Sequence, residues 1–142
     1  MRALLDVNVL IALLDMDHVH HTVAATWLLA NIDSGWASCP LTQNGCIRIM
    51  AQPSYPNALP PAQVAQRLGE AAATVHHTFW ADDLSLLEAG VVRWDSVLGS
   101  RQVTDVYLLA LAVHNRGRFV TFDRAVPHRA VRGAEAEHLV VL

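Results

Sequence analysis

Three aspartates, Asp6, Asp105 and Asp123, stand where acidic side chains can do chemistry. Asp6 directly follows a short apolar run at 3–5, Asp123 follows another at 119–122, and Asp105 opens a long apolar helix. In a parallel sheet the carboxyl ends of the strands face one edge, and a helix that runs antiparallel to its following strand begins at that edge. We therefore expect three acids that are far apart in sequence to converge on one point.

The expected chemistry follows from the charge of such a cluster. Converging carboxylates repel each other and raise each other's pKa unless a cation neutralises them. An all-oxygen set suits Mg2+ or Mn2+ better than zinc. A metal held by few carboxylates keeps water ligands, can activate one of them and can stabilise charge on a phosphate. The chain has no Gly-rich phosphate loop, no GxSxG elbow and no Cys/His nucleophile pair. The pattern thus favours metal-assisted hydrolysis of a phosphodiester.

Each aspartate also has a simpler interpretation when it is taken alone. Asp6 could cap a helix or pair with an arginine, Asp105 would favour a helix dipole, and Asp123 could serve a turn. The histidines His18 and His20 with His21 could suggest zinc, but no nearby cysteine or acid completes a tetrahedral set. Surface histidines at a helix start are the better interpretation.

Length and composition bound the remaining possibilities. The 142 residues fit one domain, 1–142, without a repeat or a linker. No apolar run approaches the ~18 residues of a membrane span, and a basic region typical of a signal peptide is missing, so we expect a cytoplasmic protein without membrane contact. Cys39 and Cys46 are too few for a disulfide scaffold and are expected to be apolar filler.

The net charge is −3, so any contact with nucleic acid must use a local basic patch. All ten basic residues are arginine, a side chain that binds phosphate bidentately. The hydrophobic fraction of 53% leaves surplus apolar surface for so small a domain, which favours an oligomer or an obligate partner.

Apolar periodicity and turn residues predict strands alternating with helices. The predicted strands cover 3–5, 36–38, 78–80, 119–122 and 139–142, and the predicted helices cover 9–14, 22–32, 43–50, 61–74, 84–89 and 104–114. Asn8 and Thr42 are the expected N-caps of the first and third helices, Asp82 and Asp83 start the fifth, and Gly117 ends the last. The predicted fold is α/β, a three-layer α/β/α sandwich with a central, mainly parallel sheet.

Four segments together resemble the PIN-domain ribonucleases and, within them, the VapC toxins of bacterial toxin–antitoxin pairs. The matching segments are LLDVN at 4–8, PLTQNG at 40–45 with Arg48, VTDVYLLALA at 103–112, and VTFDR at 120–124. Each segment is a weak signal alone, but their order and spacing cover nearly the whole chain.

The resemblance implies a metal-dependent endoribonuclease toxin acting on single-stranded or looped RNA, often tRNA, together with homodimers and inhibition by a cognate antitoxin. It assigns Asp6, Asp105 and Asp123 as catalytic and metal-binding residues that hold Mg2+ or Mn2+. It also implies supporting roles, which fall on Asn8, Gln43, Thr104 and Thr121.

One position departs from the family pattern. Gln43 stands where a glutamate is usual, and this removes one negative charge, so binding of a single metal is the expectation. Arg48, Arg101 and Arg124 are candidate phosphate contacts, although each could equally be a solvated surface charge.

Two other functions fit parts of the pattern. A non-catalytic module that binds RNA or a protein partner could keep the fold but lose turnover because of Gln43. A phosphatase with Asp6 as nucleophile would need a second acid at Asn8 and a lysine, and the chain has no lysine.

Overall fold

A computed structural model describes residues 1–142 and shows a five-stranded sheet. The strands are β1 (Ala3–Leu5), β2 (Trp36–Ser38), β3 (His77–Phe79), β4 (Arg118–Thr121) and β5 (Leu139–Val141), in the spatial order β3-β2-β1-β4-β5. Every neighbouring pair is parallel. All five carboxyl ends therefore lie along the same edge, with β1 in the centre.

The helices cover both faces of the sheet. They are α1 (Val7–Leu14), α2 (His21–Asn31), α3 (Pro40–Met50), α4 (Pro61–Ala72) and α5 (Val103–His114). Ala3 and Leu5 pack on one face with side chains of α1 to α4, whereas Leu4 and Phe119 pack on the other face with α5. This alternation gives two apolar cores and confirms the predicted three-layer α/β/α sandwich.

Helix α1 begins two residues earlier than predicted. Its N-cap is Asp6, whose carboxylate accepts the Val7 N–H at 2.7 Å. Asn8 is exposed within the first turn, so its prediction as the N-cap was wrong. Strand β1 therefore passes directly into helix α1, and Asp6 both follows the strand and caps the helix.

Helix α3 also begins early, at Pro40, with Cys39 as its N-cap. Proline fits there because the first helical N–H has no partner within the helix. Thr42, the predicted N-cap, is instead buried in the first turn, where its hydroxyl oxygen accepts the Cys39 N–H at 3.0 Å.

The predicted helix over 84–89 is absent, and that segment forms turns. Leu84 and Leu86 still pack against the core beside α5. Asp82 does cap a helix, but a distant one: its Oδ2 accepts the Leu41 N–H of α3 at 3.0 Å.

Helix α5 ends at His114, and Arg116 rather than Gly117 takes the left-handed conformation, with φ of 56°. Gly117 is needed for close packing and not for its backbone conformation. A Cβ there would lie 2.5 Å from the Arg2 carbonyl oxygen and 2.6 Å from the Trp80 ring. The prediction that Gly117 terminates the helix was therefore wrong, and its small size allows β4 to pack closely.

Two further features bear on the expectations from composition. Cys39 and Cys46 are buried free thiols, as expected for apolar filler. None of the helices has the length and apolar character needed to cross a bilayer.

Candidate active site at the carboxyl edge of the sheet

Asp6 lies at the end of the central strand with only 6% of its surface exposed. Two donors satisfy its carboxylate: the Val7 N–H bonds Oδ1 at 2.7 Å, and the Thr121 hydroxyl bonds Oδ2 at 2.6 Å. Burial raises the pKa of Asp6, the two hydrogen bonds oppose that shift, and the charge of Asp123 adds to it. The site thus holds a buried carboxylate whose charge is only partly compensated.

Thr121 connects Asp6 to Asp123. While its hydroxyl donates to Asp6, the same oxygen accepts the Asp123 N–H at 3.0 Å. Asp123 is exposed in the turn after β4, and its Oδ1 accepts the Ala125 N–H at 2.7 Å. One buried side chain therefore fixes the spacing between the ends of β1 and β4.

Asp105 lies in the first turn of α5 and is half-buried. Its pKa is raised to about 7, first by burial, then by the charges of Asp6 and Asp123, and by a hydrogen bond with Asp123 that favours the protonated form. The charges of Asp6 and Asp123 thus act on Asp105, so the three side chains lie near one another at this edge of the sheet.

The fit to a metal ion is one of charge and donor type. Three carboxylates provide the oxygen ligands that Mg2+ and Mn2+ prefer, and a cation would relieve the repulsion that raises the Asp105 pKa. In their present side-chain conformations, however, no three or more His, Cys, Asp or Glu side chains are arranged to hold an ion. Metal binding would therefore require a change of side-chain conformation.

Gln43 makes its polar contact within a small network beside this edge. Its Nε2 donates to Ser38 Oγ at 2.9 Å, and the same hydroxyl bonds His77 Nε2 at 2.8 Å. Burial lowers the pKa of His77, which favours the neutral form of its ring. Gln43 thus binds the end of β2 through its amide nitrogen.

The other candidate residues have different surroundings. Thr104 is exposed beside Asp105, and its hydroxyl makes no hydrogen bond, unlike that of Thr121. Arg101 and Arg124 are exposed near Asp105 and Asp123. Arg48 is exposed in the last turn of α3, at the end of the helix away from this edge.

Two sets of contacts at this edge were not predicted from the sequence. Asp82 not only caps α3 but also raises the pKa of Tyr107 on α5, after burial, so it links three elements. Ser38 joins Gln43 to His77. Neither set of contacts could be predicted from a local sequence pattern, because Ser38 and His77 lie 39 residues apart and Asp82 contacts residues of two other elements.

The five-stranded parallel sheet with acids at its carboxyl edge has the architecture expected of a PIN domain, and comparison with known proteins gives the same family. Residues 3–132 match the PIN domain. The chain belongs to the PIN-domain family.

Within that family the chain is of the VapC type. It is 49% identical to Ribonuclease VapC44 of Mycobacterium tuberculosis (strain H37Rv) over 142 residues, which cover all of both chains. It is 42% identical to Ribonuclease VapC39 of the same strain over 134 residues, covering 94% of this chain and 96% of the other. A solved structure, VapBC2 from Rickettsia felis bound to a DNA fragment from its promoter, superimposes with a TM-score of 0.58 over 87% of this chain and 89% of the other. That match has 11% sequence identity and supports the fold alone.

Proposed function

We propose that this protein is a metal-dependent endoribonuclease that acts as the toxin of a toxin–antitoxin pair in the cytoplasm. The observation that carries the proposal is that the charges of Asp6 and Asp123 help to raise the pKa of Asp105, and the charge of Asp123 helps to raise that of Asp6, at one edge of the sheet. The names of its full-length relatives, which are ribonucleases, support the choice of RNA as substrate.

Each residue has a distinct role in this proposal. Asp6, Asp105 and Asp123 would hold Mg2+ or Mn2+, which when bound lowers the pKa of a water ligand and offsets charge on the phosphate. Thr121 positions Asp6 through its hydroxyl and the Asp123 backbone through its oxygen. The hydrogen bonds of Thr121 hold the ends of β1 and β4 together, and the carboxylates would reach a common ion through a change of side-chain conformation.

The partners proposed are an antitoxin protein and a second copy of the chain. Large apolar side chains are exposed on α2 and in the turn before it, including Leu29 at 73% and Val19 at 85%. A cleft of about 600 Å3 is lined by the end of α1, the loop after α3, and helix α4; it does not include Asp6, Asp105 or Asp123. Surfaces of this kind favour association with protein partners.

The test of the nuclease is cleavage of total tRNA in the presence of Mn2+. We expect cleavage by the natural protein, loss of cleavage in EDTA, and loss in Asp6→Asn. Asp83→Asn is the matched control, because Asp83 is an exposed acid paired with His114 at 3.7 Å, outside the cluster. Activity that persists in EDTA, or full activity of Asp6→Asn, would reject the mechanism.

A second candidate is a non-catalytic RNA-binding or partner-binding module. The contact of Gln43 with Ser38 favours it, since an amide at this position brings no negative charge toward the edge. Binding of RNA without cleavage in Mg2+ and in Mn2+ would select this alternative.

A further inference from the structure

Two chain segments lead away from the acidic edge side by side. Segment 93–102 runs into α5 just before Asp105, and segment 124–132 begins just after Asp123. They are joined near the acids by Gln102 Nε2 donating to the Ala125 carbonyl at 3.2 Å. At the far end the Arg93 N–H donates to the Ala130 carbonyl at 2.7 Å. The pair forms one continuous surface that starts at the carboxylates.

This surface carries an excess of positive charge. Its five arginines are all exposed, and we call them the basic strip: Arg93, Arg101, Arg124, Arg129 and Arg132. The two segments contain a single acid, Asp95, so their net charge is +4, whereas the whole chain has −3 and the remaining residues therefore −7.

The arginines of the strip are not used in ion pairs. The one contact within 4 Å between a basic and an acidic side chain joins His114 to Asp83, and it involves no arginine. Arg93 donates from its guanidinium to the Arg129 carbonyl at 2.9 Å, and no carboxylate neutralises either residue. Their charge is thus available to an external anion.

An exposed tryptophan lies within the strip. Trp94, next to Arg93, is 48% exposed, whereas Trp36 and Trp80 are 5% and 7% exposed in the core. An indole that keeps half of its surface in water beside unpaired guanidinium groups can stack on a planar group. Proteins that bind single-stranded nucleic acid combine positively charged side chains, which contact the backbone, with aromatic side chains on which bases stack.

We propose that the basic strip and Trp94 form a binding path for single-stranded RNA, with arginines contacting phosphates and Trp94 stacking on an unpaired base at a distance from the cleavage site. The path rests on the proposed ribonuclease function and extends it. A single strand fits better than a duplex, because the base faces of a duplex are already stacked. RNA fits better than an acidic protein segment, because the strip combines phosphate-binding charge with a stacking surface and begins at the acids that would cut it.

The test measures binding in EDTA, so that cleavage does not enter it. Oligo-uridylate is titrated into the full chain while tryptophan fluorescence and the anisotropy of a labelled oligomer are followed. We expect RNA to quench the fluorescence of Trp94, and Trp94→Phe to lose this signal but keep most of the affinity. Trp94→Ala should bind about tenfold more weakly, the lower part of the range for one stacked base.

The arginines are tested through salt dependence. The double variant Arg129→Gln with Arg132→Gln should reduce the slope of log K against log salt by about 1.4, since each contact to single-stranded phosphate contributes about 0.7. Arg67→Gln, an exposed arginine on α4, is the matched control and should change neither slope nor quenching. Circular dichroism of each variant verifies that it is folded.

The outcomes separate this inference from the nuclease proposal. Unquenched Trp94, or a double variant that behaves like Arg67→Gln, overturns the path even if the protein cleaves RNA. Quenching and competition by polyglutamate as strong as by RNA also overturn it and assign the strip to an acidic protein segment. If the binding pattern is found but no RNA is cut in Mn2+, the path stands and the nuclease proposal fails.

Discussion

Replacing Thr121 by valine removes one hydroxyl group and keeps nearly the same shape, so it isolates the hydrogen bonds that join the acidic site. The buried hydroxyl donates to Asp6 at 2.6 Å and accepts the Asp123 N–H at 3.0 Å. A hydrogen bond to a charged group contributes ~1.5–3 kcal/mol and a neutral one ~0.5–1.5 kcal/mol. We therefore expect a loss of ~2–4 kcal/mol in the free energy of unfolding when Asp6 is ionised.

The destabilisation caused by Thr121→Val should depend on pH. Burial raises the pKa of Asp6 above its ordinary 3.8, so the folded state prefers the protonated carboxyl and loses stability as pH rises through the folded pKa. Removing the Thr121 donor raises that pKa further. The difference between Thr121→Val and the natural protein should therefore be small near pH 4 and complete at pH 8.

Urea denaturation in EDTA at both pH values measures this difference. Thr121→Ser is the control, because it keeps the hydroxyl and should lose only ~1 kcal/mol for the missing methyl group. Mn2+ titration followed by thermal unfolding provides a second measurement, in which only the valine variant should bind the ion more weakly. Equal losses in the two variants, or a larger loss for valine at pH 4 than at pH 8, would refute the role assigned to Thr121.

Three further predictions concern charge and close packing. The pKa of Asp105 is raised to about 7, so without metal the fold should lose ~2 kcal/mol between pH 4 and 8, allowing for the half-exposure of this side chain. Asp105→Asn should flatten that dependence in urea titrations and abolish stabilisation by Mn2+; an unchanged pH profile would contradict this. Gln43→Glu should tighten Mg2+ or Mn2+ binding in calorimetry, with unchanged affinity counting against a position facing the metal. Gly45→Ala should destabilise by ~1–3 kcal/mol, because its Cβ would lie 2.7 Å from Val7 Cγ2, whereas Gly69→Ala, with nothing within 4 Å, should stabilise α4 by ~0.5–1 kcal/mol; equal effects of the two would argue against this packing.

The sheet could be predicted from the sequence because most of its strands centre on a short apolar run that a polar or turn residue ends; β3, with the sequence HTF, is the exception. The helix boundaries were harder, since good capping residues compete over short distances. Asp6 and Asn8 both qualify as N-caps, and the extended backbone of Asp6, with φ of −60° and ψ of 156°, decides between them. The segment 84–89 has helix-forming residues, but at six residues it is too short for helix propensity to determine its conformation.

For the candidate site, topology explains why three distant acids share one edge, but not how their neighbours bond. The Thr121 bond to Asp6 spans 115 residues, and the Ser38 bond to His77 spans 39. Such contacts depend on the register between strands, which apolar patterning leaves open. The strip of arginines is similarly invisible in a net charge of −3, since its charges become neighbours only when segments 93–102 and 124–132 align.

Because β1 is the central strand of the sheet, the order in which the chain is synthesised determines when the candidate site can form. The first strand to leave the ribosome must wait for β4, which begins at residue 118, before its second side is paired. Asp6 is similarly without Asp105 until about three-quarters of the 142 residues have been synthesised, and without Asp123 until more than four-fifths have been. A nascent chain therefore cannot assemble the acidic edge before β4 and the turn after it have been synthesised, so the candidate site forms late in folding.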